Sequence, residues 1–412
     1  MVTANVNFRE DKEVENGVLD RQISIIQKLL ERTKGDRWIW LIIIILSMIS
    51  IMAVYSATGT IAYKKGVSAE KYLLYKHVIF VLMGIGMIYI AHLLDYKYYA
   101  GISKLLMIIT IPLLMYTLIF GANLNEASRW VKIPIIGLTF QTSDLAKLAL
   151  ITFLARMLTK KQENIKDVKN SFVPIMGSVV IVFGLIAKAN LSTGLMLFGV
   201  SILLLIVGRV SIKQIAIVCA GGVVMMFFLF LTTERAGTWK SRVDTFMHPE
   251  NQHSDKTYQA DHSKIALATG GLFGKGPGNS TERNYLPHPY SDFIFAIIIE
   301  EYGTIGGVFV MILYLVLLYR CVRIVTRSPK AFGALLAAGL SFSLTIQAFA
   351  NMAVAVGLGP VTGVPLPLVS MGGTSMIFTS IAFGIILSVS KDVEENSTKK
   401  EKVIVGEIPA MG

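Results

Sequence analysis

The sequence predicts an all-α polytopic membrane protein, with about ten transmembrane helices in a membrane domain of residues 38–390. The chain of 412 residues is 53% hydrophobic and 16% charged, and its mean hydropathy is +0.60. Ordinary soluble domains carry about 25% charged residues, so this composition excludes that class. Apolar runs of about 17 to 25 residues, long enough to cross a hydrocarbon core as helices, recur along the chain. The predicted spans are 38–57, 77–94, 102–120, 140–158, 172–189, 191–208, 213–231, 292–319, 331–357 and 371–390.

The distribution of basic residues predicts where the two termini lie. Residues 1–37 are polar, and the first apolar run is too long for a signal-peptide core, so this tail is expected to be cytoplasmic. With ten spans, the C-terminal tail, residues 391–412, is expected on the same side. Its charged sequence predicts a flexible tail. The connection "LTKKQENIKDVKN" is rich in lysine, as cytoplasmic loops are, whereas "GLGPVTGVPLPLVSMGG" has no basic residue. The basic stretch "YKKGVSAEKYLLYK", expected outside, argues against this orientation.

The remaining general features point to a membrane rather than to nucleic acid. The formal net charge of +12 is interpreted as a topology signal and an affinity for anionic membrane lipids. Residues 18–33 have apolar positions at helical spacing beside Arg and Lys, which fits either an amphipathic helix on the inner surface or a disordered tail. Cys219 and Cys321 match no disulfide or metal motif and are interpreted as structural thiols.

Two segments between the spans are unusual. The loop 232–291, expected outside, is long and polar, and loops of that length are commonly functional or disordered. It contains the glycine-rich segment "TGGLFGKGPGNS", residues 269–280, whose glycines permit close approach to a ligand or serve as plain turns. The proline-rich segment "GLGPVTGVPLPLVSMGGTS", residues 357–375, cannot form a continuous helix. We interpret it as a re-entrant or cavity-lining turn; an ordinary surface loop is the alternative.

Ionisable residues within or beside the spans are candidate site residues, because they are costly in a membrane. Asp292 begins the eighth span at the edge of the long loop, where a carboxylate can reach a lipid headgroup. Lys147 and Glu300 are expected in the same outer half, and Lys147 is expected to pair with Glu300 or Glu301, either for function or to hold helices together. The remaining polar residues have simpler interpretations: Glu301, Gln347 and Asn351 are expected to be mainly structural, and His248, His253, His262 and His288 match no zinc spacing.

Three motifs, in order along the chain, resemble a known family. They are "NEASRWVKIPIIGLTFQTSDLAKLAL", "YQADHSKIALATGGLFGKGPGNS" followed by "YLPHPYSDFIFAIIIEEYGTIGG", and "PVTGVPLPLVSMGGTS". Together they resemble the bacterial SEDS proteins (shape, elongation, division and sporulation), most closely the division member and less closely the elongation member. The resemblance extends from about the first to the last predicted span.

The resemblance implies a multi-pass protein of the bacterial cytoplasmic membrane that polymerises lipid II into glycan strands. It implies a class B penicillin-binding protein as partner, with other divisome or elongasome membrane proteins and membrane lipids around it. Asp292 matches the essential loop aspartate and is the expected catalytic residue, as a base or as a ligand for a divalent cation such as Mg²⁺ or Mn²⁺. The expected substrate-binding residues are Arg129, Lys132, Lys147, Gln259, Ser263 and Glu300, with Arg129 and Lys147 on the pyrophosphate and Glu300 tuning Lys147.

Some residues depart from the family pattern, and two other functions stay open. "KANLSTG" has no acid where the family often has Pro-Asp, and "QTSDLAK" and "PHPYSD" carry substitutions in two motifs. A flippase of lipid-linked precursors is the main alternative, since buried charges and a broken segment also occur in transporters. A transporter site is expected near the midplane, whereas these charges gather in the outer half. A scaffold that only recruits a transpeptidase would not need Asp292 at the loop edge.

Overall fold

The protein is described from a computed structural model, which covers residues 33–65, 67–124, 127–132, 139–232, 236–247, 255–286 and 289–406. It is an all-α bundle with one small antiparallel sheet. The helices are α1 (Arg37–Lys65), α2 (Val67–Leu93), α3 (Tyr96–Phe120), α4 (Thr142–Lys160), α5 (Val173–Ala189), α6 (Leu191–Val207), α7 (Ile212–Thr232), α8 (Ala236–Met247), α9 (Asp255–Gly270), α10 (Ile294–Arg327), α11 (Ala331–Ala355) and α12 (Thr374–Gly406); the strands are β1 (Ala122–Leu124), β2 (Ala127–Lys132) and β3 (Thr139–Gln141).

A helix lies at each of the ten predicted spans. Among the described residues, 7 helices are long and apolar enough to cross a membrane, and α6 and α7 contain shorter apolar stretches. Helix α4 belongs to neither group, because Asp144, Lys147 and Arg156 lower its hydropathy. The protein is therefore a multi-pass membrane protein, as predicted, while the exact number of spans and the orientation stay predictions.

The closely spaced fifth and sixth spans are separate helices because of Asn190. This residue has extended backbone angles, φ −150° and ψ 97°, between α5 and α6. Its side chain accepts a hydrogen bond from the amide of Thr193 and donates one to the Thr193 hydroxyl (2.6 Å). Asparagine is favoured at helix N-caps for this reason.

Helix α11 is central to the bundle. It packs against α4, α6, α10 and α12, while α1 and α2 pack together and α2 lies along α12. One continuous apolar core joins these helices, with Leu336, Ala348 and Phe383 fully buried. Gln347 and Asn351, which α11 carries into this core, bind carbonyl groups outside α11.

The connection between α3 and α4 forms the three-stranded sheet, in the order β1-β2-β3. Trp130 of β2 pairs with Gln141 of β3, and Phe140 of β3 packs on Phe378 of α12 with ring centroids 5.4 Å apart. The sheet was not anticipated from the sequence. The sheet connects the strand that contains Arg129 and Trp130 to both α4 and α12.

Two predicted irregular regions contain helices instead. The loop 232–291 includes α8 and α9, which pack on each other, and α9 also packs on α10. At the C-terminus, α12 continues to Gly406. Residues 391–406, for which the sequence predicted a flexible tail, are therefore helical. Residues 18–33, His248, His253 and His288 lie outside the described residues. Cys219 is an exposed free thiol and Cys321 a buried one, so a structural role stays a prediction for Cys219.

Candidate active site

Helix α10, which follows the long loop, is broken at Gly303. This residue has φ 70° and ψ −176°, a conformation essentially restricted to glycine. The carbonyl oxygens of Glu300 and Glu301 instead accept hydrogen bonds from the amides of Lys275 and Gly276, both at 2.9 Å. In return, the amides freed on α10 donate to the glycine-rich segment: Thr304 to Gly271 O (2.9 Å) and Ile305 to Leu272 O (3.3 Å).

This exchange of backbone hydrogen bonds explains Gly274 of the glycine-rich segment and Gly303 of α10. A Cβ atom on Gly274 would lie 2.2 Å from the carbonyl oxygen of Glu301, and one on Gly303 would lie 2.1 Å from that of Leu272. No side chain fits in either space. These glycines thus permit close approach of the glycine-rich segment to α10. The sequence had suggested that they allow approach of a ligand or form plain turns.

Glu300 holds the glycine-rich segment to α10 through its side chain as well. Its carboxylate is fully buried and accepts hydrogen bonds from Lys275 Nζ (2.6 Å), Ser280 Oγ (2.5 Å) and both the amide and hydroxyl of Thr281 (3.0 and 2.9 Å). The predicted pairing of Glu300 with Lys147 is wrong, because Lys275 takes that place. With its oxygens occupied, Glu300 positions the loop rather than presenting a carboxylate to a substrate.

Glu301, the neighbouring carboxylate, joins the same loop to α1. Its Oε1 accepts hydrogen bonds from the hydroxyl of Ser56 and from the amide of Ser280 (3.3 Å). Arg283 reaches the same point and donates to the Ser56 carbonyl (2.9 Å). Among the described residues, Oε2 of Glu301 is buried without a hydrogen-bond partner. Glu301 was expected to be structural, and its partners in that role are Ser56 and Ser280.

The central part of the proline-rich segment, residues 364–370, is enclosed in the bundle, whereas Leu358 near its start is 77% exposed. Val364, Leu366, Leu368 and Val369 are each less than one-tenth exposed. Side chains of the surrounding helices satisfy its carbonyl oxygens: Gln347 donates to Pro365 (2.9 Å), Asn351 to Val364 (2.8 Å), Tyr314 to Pro367 (2.5 Å) and Ser50 to Val369 (2.8 Å). Non-helical backbone is tolerated inside a membrane protein when it is enclosed in this way.

Asp292 lies against this segment, directly before α10 begins. Its Oδ1 accepts a hydrogen bond from the Ser291 hydroxyl (2.9 Å), and its backbone carbonyl accepts one from Asn351 Nδ2 (2.8 Å). A Cβ atom on Gly363, where φ is 65°, would lie 3.5 Å from Asp292 Oδ2. The half-buried carboxylate is therefore held on one side and faces a glycine on the other.

The proline-rich segment also forms hydrogen bonds with the residues immediately before Asp292. Ser370 Oγ donates to the carbonyl of Ser291 (2.6 Å), and the amide of Met371 donates to that of Tyr290 (2.9 Å). Burial raises the pKa of the Tyr290 hydroxyl above its ordinary value, so this phenol stays protonated. These bonds fix the direction from which the chain enters α10, and with it the position of Asp292.

Lys147 is linked to Asp292 through one face of α11. Its ammonium group binds Asp144 Oδ1 (2.8 Å) and Gln347 Oε1 (2.8 Å). Asn351, which binds the carbonyl of Asp292, lies one helical turn beyond Gln347. Because an ammonium group has three N–H donors, Lys147 retains one for a further ligand. The sequence indicated Asp144 only as the acid of the "QTSDLAK" motif, and its pairing with Lys147 was missed although the i, i+3 spacing permits it.

The other predicted substrate-binding residues lie around this centre. Arg129 and Lys132 belong to β2, and their side chains lie outside what the structure describes. Gln259 and Ser263 are one turn apart on α9. The Ser263 hydroxyl is buried and donates to the carbonyl of Ala355 (2.7 Å) at the end of α11. Ser263 therefore anchors α9, while Gln259 is partly exposed.

The described residues around Asp292 do not form a complete metal cage. They contain no group of three or more His, Cys, Asp or Glu side chains that could hold a metal ion. Mg²⁺, however, is commonly bound by one or two carboxylates together with substrate phosphates. Asp292 supplies one carboxylate of that kind beside α10.

The chain matches the family model described as a cell cycle protein, which covers FtsW, RodA and SpoVE, over residues 36–395. It belongs to this family. Among curated relatives, the probable peptidoglycan glycosyltransferase FtsW of Trichlorobacter lovleyi is 32% identical over 372 residues, which cover 89% of this chain and 96% of the relative. Stage V sporulation protein E of Bacillus subtilis is 34% identical over 365 residues, or 88% and 98% of the two chains.

Solved structures of the FtsW, RodA and SpoVE type share the fold. RodA of Thermus thermophilus superposes with a TM-score of 0.62 at 23% identity, covering 87% of this chain and 97% of that one. A chain from a peptidoglycan synthase complex that coordinates polymerization and crosslinking gives 0.66 at 21% identity, covering 87% and 98%. The architecture of this chain is thus that of the family throughout its membrane domain.

Proposed function

We propose that this protein is a peptidoglycan glycosyltransferase that polymerises lipid II by a single inverting displacement, with Asp292 as the catalytic base. Family membership and the names of two full-length relatives support the glycosyltransferase activity. The observation that carries the assignment of Asp292 is its placement. Its carboxylate lies where the long loop meets α10 and accepts a hydrogen bond from Ser291, while Asn351 binds the backbone carbonyl of the same residue and holds it beside the proline-rich segment.

In the proposed reaction, a hydroxyl group of one sugar attacks the anomeric carbon of the donor. The new glycosidic C–O bond forms as the bond to the lipid pyrophosphate breaks, and the hydroxyl proton passes to Asp292. One displacement inverts an α-linked donor to a β-linked product, so a single carboxylate suffices. The leaving pyrophosphate carries away the bonding electrons and needs cationic partners.

Arg129 and Lys147 are the proposed cationic partners of the pyrophosphate, with Lys132 and Gln259 as further substrate contacts. Lys147 would use the N–H that neither Asp144 nor Gln347 occupies. In its alternative role Asp292 would hold a Mg²⁺ or Mn²⁺ ion, which would supply positive charge to stabilise the leaving group. Glu300 and Ser263 act as positioning residues in this scheme, since both bind within the protein.

A class B penicillin-binding protein is the proposed partner, with lipid II as substrate and other division or elongation proteins nearby in the inner membrane. A relative of known structure belongs to a synthase complex that combines polymerization with crosslinking, which supports such a partner. A transpeptidase would crosslink the glycan strands as they are formed.

The test is polymerisation of labelled lipid II by the purified full chain, with and without its partner and Mg²⁺. Asp292→Asn is compared with wild type and with Asp261→Asn, an exposed aspartate of the same loop. We expect glycan strands from wild type and Asp261→Asn and none from Asp292→Asn. Strands from Asp292→Asn would overturn its catalytic role, and no strands from wild type under any condition would favour the flippase alternative.

A further inference from the structure

We propose that the end of the bundle opposite to Asp292 carries a binding site for a phosphate-bearing anion, formed by arginines of α1 and α10. Asp292 precedes α10, whereas Arg320, Arg323 and Arg327 lie in its last turns. The unbroken part of α10 from Thr304 to Arg320 is alone about 25 Å long, so the two sites are far apart. The proposal therefore does not depend on the glycosyltransferase activity.

A cavity of about 330 Å³ opens between α1, α10 and α12 at this end, within the usual range of small-molecule pockets. Arg37 lines it from the start of α1, and Arg320, Arg323 and Arg327 line it from α10. The three arginines of α10 are spaced three and four residues apart, so they lie on one face of the helix.

The four arginines of this cavity outnumber its two carboxylates, Asp36 and Glu394, among the described residues. Arg320 is paired with Asp36, whose Oδ2 lies 2.7 Å from Nε and 2.5 Å from Nη2. The other oxygen of Asp36 caps α1 through the amides of Trp38 and Ile39. Among the described residues, Arg37, Arg323 and Arg327 form no ion pair, since none lies within 4.0 Å of a carboxylate oxygen. They face one further carboxylate, that of Glu394, which accepts a hydrogen bond from the amide of Gly35 (2.8 Å).

The guanidinium groups around this cavity favour a phosphate as ligand. Guanidinium groups present paired N–H donors that match two phosphate oxygens, and two of them stand one turn apart on α10. Trp38, 56% exposed, lines the same cavity, and tryptophan is enriched at the level of lipid headgroups. Basic pockets between membrane helices on the cytoplasmic side commonly bind anionic lipid headgroups. The ligand is thus the phosphate of an anionic phospholipid or a free phosphate.

The first measurement compares lipid binding by charge variants. The full chain is reconstituted in phosphatidylcholine with one quarter phosphatidylglycerol, and retained lipid is measured by native mass spectrometry. Arg323→Gln/Arg327→Gln should lower the affinity for phosphatidylglycerol about 30-fold, because each basic residue near the surface contributes roughly fivefold. Lys160→Gln/Lys169→Gln removes the same charge from exposed positions outside the cavity and should retain binding.

A second pair of conditions distinguishes the two ligand sources. In phosphatidylcholine alone, inorganic phosphate is compared with chloride at equal ionic strength by thermal melting. A rise in Tm with phosphate that Arg323→Gln/Arg327→Gln abolishes identifies a free phosphate, while phosphatidylglycerol retention without that rise identifies a lipid headgroup. Arg323→Lys/Arg327→Lys keeps the charge, so it tests the site even if the glutamine variant does not fold, and it should bind less tightly than wild type. Equal lipid retention and equal phosphate response in wild type and both arginine variants would overturn the proposal.

Discussion

The side-chain amide of Asn351 donates a 2.8 Å hydrogen bond to the backbone carbonyl of Asp292. The same amide donates a second 2.8 Å bond to Val364 in the proline-rich segment. Asn351 is 1% exposed, so neither carbonyl can turn to water if the amide is removed. This side chain therefore fixes the proposed catalytic carboxylate relative to the segment that it faces.

We expect Asn351→Leu to lose about 100-fold in polymerisation, because a displacement of about 1 Å can have that effect on a catalytic group. Two unsatisfied carbonyls should also cost about 1–3 kcal/mol each in stability. The control is Thr345→Val on the same helix. Its hydroxyl is buried without a hydrogen-bond partner among the described residues, so it should change neither quantity appreciably. Full activity in Asn351→Leu would show that Asp292 does not need this anchor.

The pair of Asp144 and Lys147 allows stability to be separated from substrate binding. The Asp144 side chain is 3% exposed, so Lys147→Met leaves a buried carboxylate uncompensated, at a cost of about 3–5 kcal/mol. The double variant Asp144→Asn/Lys147→Met should recover most of that stability, measured as Tm in detergent. If Lys147 binds the pyrophosphate, the double variant stays inactive; recovery of polymerisation together with stability would limit Lys147 to a structural role.

Gly303→Ala should prevent correct folding. Its Cβ would lie 2.1 Å from the carbonyl oxygen of Leu272, and its backbone angles are unfavourable for alanine, so we expect a loss of at least about 3 kcal/mol. Gly199→Ala is the matched control, because a Cβ atom added there would have no heavy atom of another residue within 4 Å and α6 is regular at this point. It should be neutral or more stable by about 0.5–1 kcal/mol. Thermal melting and the monodisperse fraction after purification distinguish the two, and a well-folded Gly303→Ala would contradict the described break.

Lys275→Met should be more damaging than Glu300→Gln. The lysine variant leaves a carboxylate of 0% exposure without its cation, whereas the glutamine variant leaves a lysine of 27% exposure that can turn to water. We expect lower Tm and faster hydrogen exchange at the amides of residues 275–282 in both, with the larger effect in Lys275→Met. Glu163→Gln, at an exposed acid, is the control. The reverse order of effects would mean that Glu300 contributes mainly through its other hydrogen bonds.

The sequence alone determined the membrane class and the position of every long helix. Transfer of apolar side chains out of water depends on composition within about 20 consecutive residues, so these helices could be located without knowing what they contact. The same local information placed Asp292 at the start of a helix and showed that the proline-rich segment is not a continuous helix, which left a cavity-lining turn and a surface loop as its two interpretations. The motifs of the long loop and of "QTSDLAK" supplied the family.

Only the tertiary structure decided which polar groups pair. Glu300 and Lys147 were expected together because both lie in the outer half, but a side-chain contact depends on helix rotation and on the break at Gly303, which no local pattern reports. The break brings Lys275 to Glu300, and the packing of α4 on α11 brings Gln347 to Lys147, whereas Asp144 pairs with Lys147 within α4. Hydrogen bonds between residues far apart in sequence are fixed by how the helices pack, and for that reason the anchor of Asp292 on Asn351 appears only in the folded chain.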